Sequence, residues 1–245
     1  MTEAVAASRQ LLTQTRRFYF GLSVLLALLA TIGFWPRYFR PLLTGTVNTD
    51  TVIHVHATVY VGWLALFIFQ CLLVAVGNIR LHRRIGQFGL VYGCVVILVG
   101  LAVTFVRFAT KLSEGGIEAV QHTALAPITD MVLFGALFGA GAYYRNKPEL
   151  HKRLMLLAAT AILIPSIARF VGSFGFDPVL KHTARLTLWL SPIMLAMAFD
   201  FYRRRIIHPV FVIGVVVIVL FNFRVPLQQT EIWVRFTHWL ASILS

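Results

Sequence analysis

Apolar stretches of about twenty residues recur along this chain, most of them closed by a short cluster of arginine or lysine, and that alternation leaves few folds open. A helix rising 1.5 Å per residue needs about 20 apolar residues to cross a hydrocarbon core roughly 30 Å thick. Seven runs qualify: 18–38, 53–77, 87–108, 127–144, 154–173, 186–202 and 208–224. Hydrophobic residues make up 58% of the chain and charged residues 13%, against about 25% charged in soluble domains, so an ordinary soluble domain is excluded. The expected fold is all-α: a polytopic membrane helix bundle of about seven transmembrane helices.

Charge then orients the bundle. Lys and Arg number 22 against 9 Asp and Glu, a formal charge of +13, and the excess sits in short stretches between the runs. With the N-terminus inside, thirteen of the 22 basic residues face the cytoplasm: Arg9, Arg16, Arg17, Arg80, Arg83, Arg84, Arg145, Lys147, Lys152, Arg153, Arg203, Arg204 and Arg205. Short, crowded inner loops are what the positive-inside rule expects. A cytoplasmic N-terminus and, after seven spans, an outer C-terminus follow, in a multi-pass protein of a bacterial inner membrane. The basic residues are too dispersed for a nucleic-acid surface. Cys71 and Cys94 both lie within apolar runs, where neither a disulfide framework nor a Cys-rich metal site can form.

Three regions emerge. Residues 1–17 are a polar cytoplasmic tail, retained rather than cleaved, because no small-residue cleavage pattern follows. Residues 18–224 form the bundle. Residues 225–245 end in an amphipathic helix, with Ile232, Trp233, Phe236, Trp239, Leu240, Ile243 and Leu244 at helical spacing and Glu231 with Arg235 as an i,i+4 pair. Two placements fit that helix: flat on the outer membrane surface with its tryptophans at headgroup level, or across the mouth of the bundle.

A weak repeat links Leu81-His82-Arg83-Arg84-Ile85 with Leu150-His151-Lys152-Arg153-Leu154, 69 residues later, each opening an outgoing span. Either a duplicated hairpin or a coincidence of basic inner loops produces it. These motifs, with His56, Trp63, Gln70, Gly86 and the later Arg204-Arg205-Ile206-Ile207-His208-Pro209, resemble a group of bacterial multi-span proteins of unknown function, over roughly the second to seventh spans. More distantly, histidines at both ends of paired helices are similar to the di-haem transmembrane cytochromes b. That likeness implies haem b held by an outer pair, His56 (or His54) with His122, and an inner pair, His82 with His151.

Depth argues against deep haems, since a continuous helix from His56 to His82 rises about 39 Å and puts both ends at the water boundary. Interfacial histidines otherwise hydrogen-bond headgroups, water and helix ends. A di-iron oxygenase would need a denser histidine set than the inner trio His82, His151 and His208. Charges within spans are more telling. Asp130 and Arg169 lie at similar depth near the outer ends of the fourth and fifth spans, and an unpaired charge there costs about 2.5–3.5 kcal/mol on insertion scales. An Asp130–Arg169 pair is therefore expected, as a clasp or as the floor of an outward polar pocket walled by His56 and His122. Asp200 is expected to pair locally with Arg203 or Arg204. Gly135 and Gly139 fit a small-xxx-small contact, and Pro165 predicts a bend.

No glycine-framed serine, phosphate-cradling loop or Cys–His pair points to catalysis. Two functions stay open. One is a non-catalytic binding or accessory membrane component, contacting lipid, a small molecule or a partner subunit through the outer pocket. The other is a redox protein binding haem b or a metal through its histidines.

Overall fold

A computed structural model of the chain describes residues 2–121 and 123–244, and it is built almost wholly of helices. They are α1 (Thr2–Phe34), α2 (Arg40–Leu43), α3 (Thr51–Ala75), α4 (Ile79–Val120), α5 (Leu125–Tyr143), α6 (Pro148–Ala161), α7 (Ile164–Gly172), α8 (Pro178–Arg204), α9 (Pro209–Asn222) and α10 (Glu231–Leu244). Six helical stretches are long and apolar enough to cross a membrane, and the bent pair α6–α7 makes a seventh when counted as one span. The polar residues ahead of the first span are helical from Thr2 and continuous with it. No Gly or Pro interrupts 2–20, so the good helix formers there extend α1 as one rod.

The fifth span breaks where the chemistry requires it. Pro165 has no N–H, so the carbonyl four residues back loses its helical donor and the rod bends by 41° between α6 and α7. A turn bond from Leu163 N–H to the Thr160 carbonyl (3.0 Å) marks the break, and the Trp189 indole N–H of α8 donates to the same carbonyl at 2.7 Å. This broken span is the axis of the bundle. Every residue from Leu156 to Ala161 is buried, with α5, α8, α9 and α1 packed around. Trp63 of α3 meets Phe134 and Phe138 of α5 edge-on, ring centres 5.5 and 5.3 Å apart.

Close helix approach depends on glycine at one joint above all. A side chain on Gly33 of α1 would run into the backbone and hydroxyl of Ser166 on α7. Ser166 Oγ, held against that glycine, donates to the Leu29 and Ala30 carbonyls at 2.9 and 3.0 Å. The expected small-xxx-small contact is only half there: Gly135 approaches Ile97 of α4, while Gly139 meets no neighbour.

α4 has 42 residues, about 63 Å of helix and roughly twice the thickness of a hydrocarbon core. It bends at Gly116, whose φ of 66° suits a residue without Cβ. α10 packs on the projecting part. Leu240 joins Phe108, Val120 and Ala124 in a small second core, and the Trp233 indole donates to the Gln121 carbonyl at 2.8 Å. The amphipathic C-terminal helix thus rests on protein, leaving Ile232, Trp239 and Ile243 exposed on its other side.

Candidate functional site

At the end of the bundle where α4 and α6 begin, two hairpins bring histidines together. The first turns at Gly77, φ 83°, and Asn78 caps α4 by accepting from Leu81 N–H at 3.1 Å. The second turns through Tyr144–Asn146, with Pro148 in the first turn of α6. His82 and His151, each four residues into its helix, lie with ring centres 6.3 Å apart.

Neighbouring helices fix both rings. His151 Nδ1–H donates to the Gly141 carbonyl of α5 at 2.8 Å, which leaves Nε2 as an acceptor. Gln70 of α3 reaches His82 with its amide in the orientation that satisfies both ends: its NH₂ donates to the His82 carbonyl and to Nδ1, and its oxygen accepts from Gly86 N–H. Backbone polarity therefore selects the His82 tautomer. With Nδ1 accepting, Nε2 of His82 carries the proton.

Two residues further along α6 stands a charged centre that sequence reasoning passed over. Arg153 is fully buried and forks onto Asp200 of α8, Nε to Oδ2 at 3.0 Å and Nη2 to Oδ1 and Oδ2 at 2.8 and 2.7 Å. Its other arm binds the Glu149 carbonyl at 2.7 Å and carboxylate at 2.8 Å, and its guanidinium lies 5.5 Å from the Phe211 ring of α9. Glu149 also takes Lys152 and Arg204, each at 2.8 Å. The local pairing expected for Asp200 is thus corrected. A carboxylate buried to 4% exposure needs a cation that is itself inside the protein. Arg203 instead reaches Gln14 of α1 and lies over Phe199. Arg153 was legible only as one more basic loop residue, because its position is explained by charge bias whether or not it turns inward.

At the opposite end, Asp130 is buried as expected but has a different partner. Arg224 Nη1 meets Asp130 Oδ1 at 2.7 Å, with side-chain exposures of 13% and 8%. The expected Asp130–Arg169 pair does not form, because the bundle order separates them: α5 packs on α4, α6 and α9, whereas α7 packs on α1 and α8. Arg169 Nη1 donates instead to the Pro165 carbonyl at 2.9 Å, and the guanidinium lies 4.9 Å from the Phe34 ring. Arg224 could have been found as a basic residue at Asp130's depth, the last residue of the seventh apolar run. The pairing makes a direct prediction. Asp130→Asn and Arg224→Gln are each expected to cost about 1.5–3 kcal/mol and to couple by about 1–2 kcal/mol in a double-mutant cycle, while Asp130→Asn with Arg169→Gln adds within about 0.5 kcal/mol. Unfolding of the solubilised protein in a graded denaturant measures both.

On α3, His56 lies against Tyr60 with ring centres 4.1 Å apart and planes tilted by 32°, and its Nδ1 is buried without a hydrogen-bond partner. Tyr60 O–H bonds to the Val96 carbonyl and Met131 Sδ, both at 3.3 Å. His54 points elsewhere, its Nδ1 3.0 Å from the Tyr38 hydroxyl. His122, expected to face His56, lies outside the described residues. Among those described, no three His, Cys, Asp or Glu side chains gather as a metal site.

The helices and their apolar lengths fit a multi-pass membrane protein. Compared with known proteins, the chain matches no family model, no curated protein and no solved structure.

Proposed function

We propose that this is a non-catalytic integral membrane component that binds a small molecule, a lipid or a partner subunit through the polar groups around His56, Tyr60 and Asp130. The observation that carries the reading is the His56 Nδ1, shut from water with no protein partner. Leaving such a nitrogen unsatisfied costs about 1–3 kcal/mol, which a bound group offering a hydrogen bond would recover. Tyr60 lies against His56 and bonds to Met131, the residue after Asp130, which extends the polar place toward that carboxylate. His56→Phe keeps a ring against Tyr60 and removes both nitrogens. Native mass spectrometry of the gently solubilised protein is expected to find a co-purifying small molecule or subunit that this variant loses, and an unchanged complement in the variant would refute the assignment to His56.

A redox reading has one observation in its favour. Two imidazoles on opposite sides of one metal ion, with metal–nitrogen bonds of about 2.0–2.1 Å and ring centres about 1.1–1.2 Å behind the nitrogens, would stand roughly 6.2–6.6 Å apart, against about 5.2 Å at a tetrahedral metal. His82 and His151 stand at 6.3 Å. Haem bound there would supply one-electron transfer. The donor set does not fit, because Gln70 holds His82 in the tautomer whose Nε2 carries the proton, and only His151 then offers a lone pair. The same purified sample decides between the readings: a haem Soret band or stoichiometric transition metal would reverse their order.

A further inference from the structure

α1 does not end cleanly at Phe34. It passes into a π turn, Trp35–Phe39, with Pro36 in its first turn, and such a turn loosens the helix where the proline supplies no N–H. Beside it a groove opens between α1 and α7. It is about 440 Å³ in volume and lined by Thr31, Ile32, Trp35, Pro36, Phe170 and Ser173. The Gly33–Ser166 joint pins the two helices together alongside, so the groove has a fixed floor.

Two arginines adjoin lining residues in sequence, Arg37 after Pro36 and Arg169 before Phe170, and the Arg169 guanidinium of α7 reaches across to the Phe34 ring of α1. Arg37 lies in the turn that follows Phe34, the residue whose ring Arg169 covers at 4.9 Å. Neither has a carboxylate within ion-pair distance among the described residues. Arg169 is braced by the Pro165 carbonyl and the Phe34 ring, which uses one of its five N–H donors and aims the planar group. Two neighbouring cations above an apolar slot repel each other unless an anion sits with them. A guanidinium fork matches the geometry of a phosphate.

We propose that this groove holds an anionic phospholipid, its phosphodiester taken by Arg37 and Arg169 and an acyl chain laid along Thr31, Ile32, Trp35 and Phe170. His56 is not among the residues lining the groove, so His56→Phe tests the other reading and is expected to leave lipid retention here unchanged.

The full chain, reconstituted in nanodiscs of phosphatidylcholine containing phosphatidylglycerol and then released, is expected to retain phosphatidylglycerol at least tenfold over its share of the bilayer, as read by native mass spectrometry. Arg37→Gln with Arg169→Gln brings retention to parity. Arg84→Gln, at the other end of the bundle, leaves it unchanged. Trp35→Glu, which keeps both arginines but puts a charge in the slot, lowers retention severalfold and serves if the double variant does not fold. Equal retention of the two lipids by the unaltered protein overturns the proposal, as does a double variant that keeps the preference. Displacement of the lipid by millimolar inorganic phosphate would show a bare anion site and overturn it too.

Discussion

Arg153→Met is expected to lower the stability of the solubilised protein by about 3–5 kcal/mol, the usual loss when one member of a buried ion pair is removed and the other stays. The size follows from what is left behind. Asp200 is 4% exposed and would lose the guanidinium that fills its hydrogen-bonding sites, while the Glu149 carbonyl and carboxylate would lose a donor each. Arg153 also touches three helices at once, joining its own α6 to Asp200 of α8 and to the Phe211 ring of α9. Replacing the carboxylate as well, in Arg153→Met with Asp200→Leu, is expected to restore more than half the loss, since buried pairs exchanged for apolar groups of similar volume are often neutral. Glu149 retains Lys152 and Arg204 in either variant. Equilibrium unfolding in mixed detergent micelles measures the three proteins. A loss under about 1 kcal/mol for Arg153→Met would mean that the centre does not hold α6 to α8.

The second large effect comes from a residue with no side chain. Gly33→Leu is expected to destabilise by about 2–3 kcal/mol, the upper end of what overpacking costs, because the added atoms meet backbone rather than the movable end of a side chain. Ser166 cannot retreat without giving up its bonds to the Leu29 and Ala30 carbonyls. Gly45, where an added Cβ meets nothing but φ is 68°, is an unsuitable control, whereas Gly21 offers open space at ordinary helical φ. Gly21→Leu should therefore cost little by comparison. Similar losses at both positions would assign the effect to lipid exposure or expression rather than to the α1–α7 joint. A further consequence links the two ends of the argument: α7 pushed off α1 also distorts the groove beside Arg169, so lipid retention should fall with stability in Gly33→Leu.

The apolar runs made the spans legible, and Pro165 made the bend of the fifth legible too, because both depend on local chemistry. The partners of the buried charges were not legible in the same way. Asp130 and Asp200 were each recognisable as carboxylates inside spans, yet each pairs with an arginine other than the one expected. Depth along a helix can be counted from sequence, but the order of helices around the bundle cannot, and that order decides which cation a carboxylate faces. For Asp200 the local choice lost to a residue 47 positions earlier, since Arg203 and Arg204 sit where other groups attract them. The histidines divide likewise. His82 and His151 follow from equivalent places in two hairpins, whereas the tautomer of His82 is set by Gln70 from a third helix, through hydrogen bonds no spacing rule contains.

The sequence alone therefore determined that the chain is a bundle of membrane-length helices with cationic turns, because burying a backbone in hydrocarbon leaves a long apolar helix little alternative. Tertiary packing alone decided that α6 is the axis, that Arg153 turns inward to Asp200, and that Asp130 belongs to Arg224. Those are contacts between distant segments, and their energies depend on which surfaces meet rather than on what either segment prefers by itself.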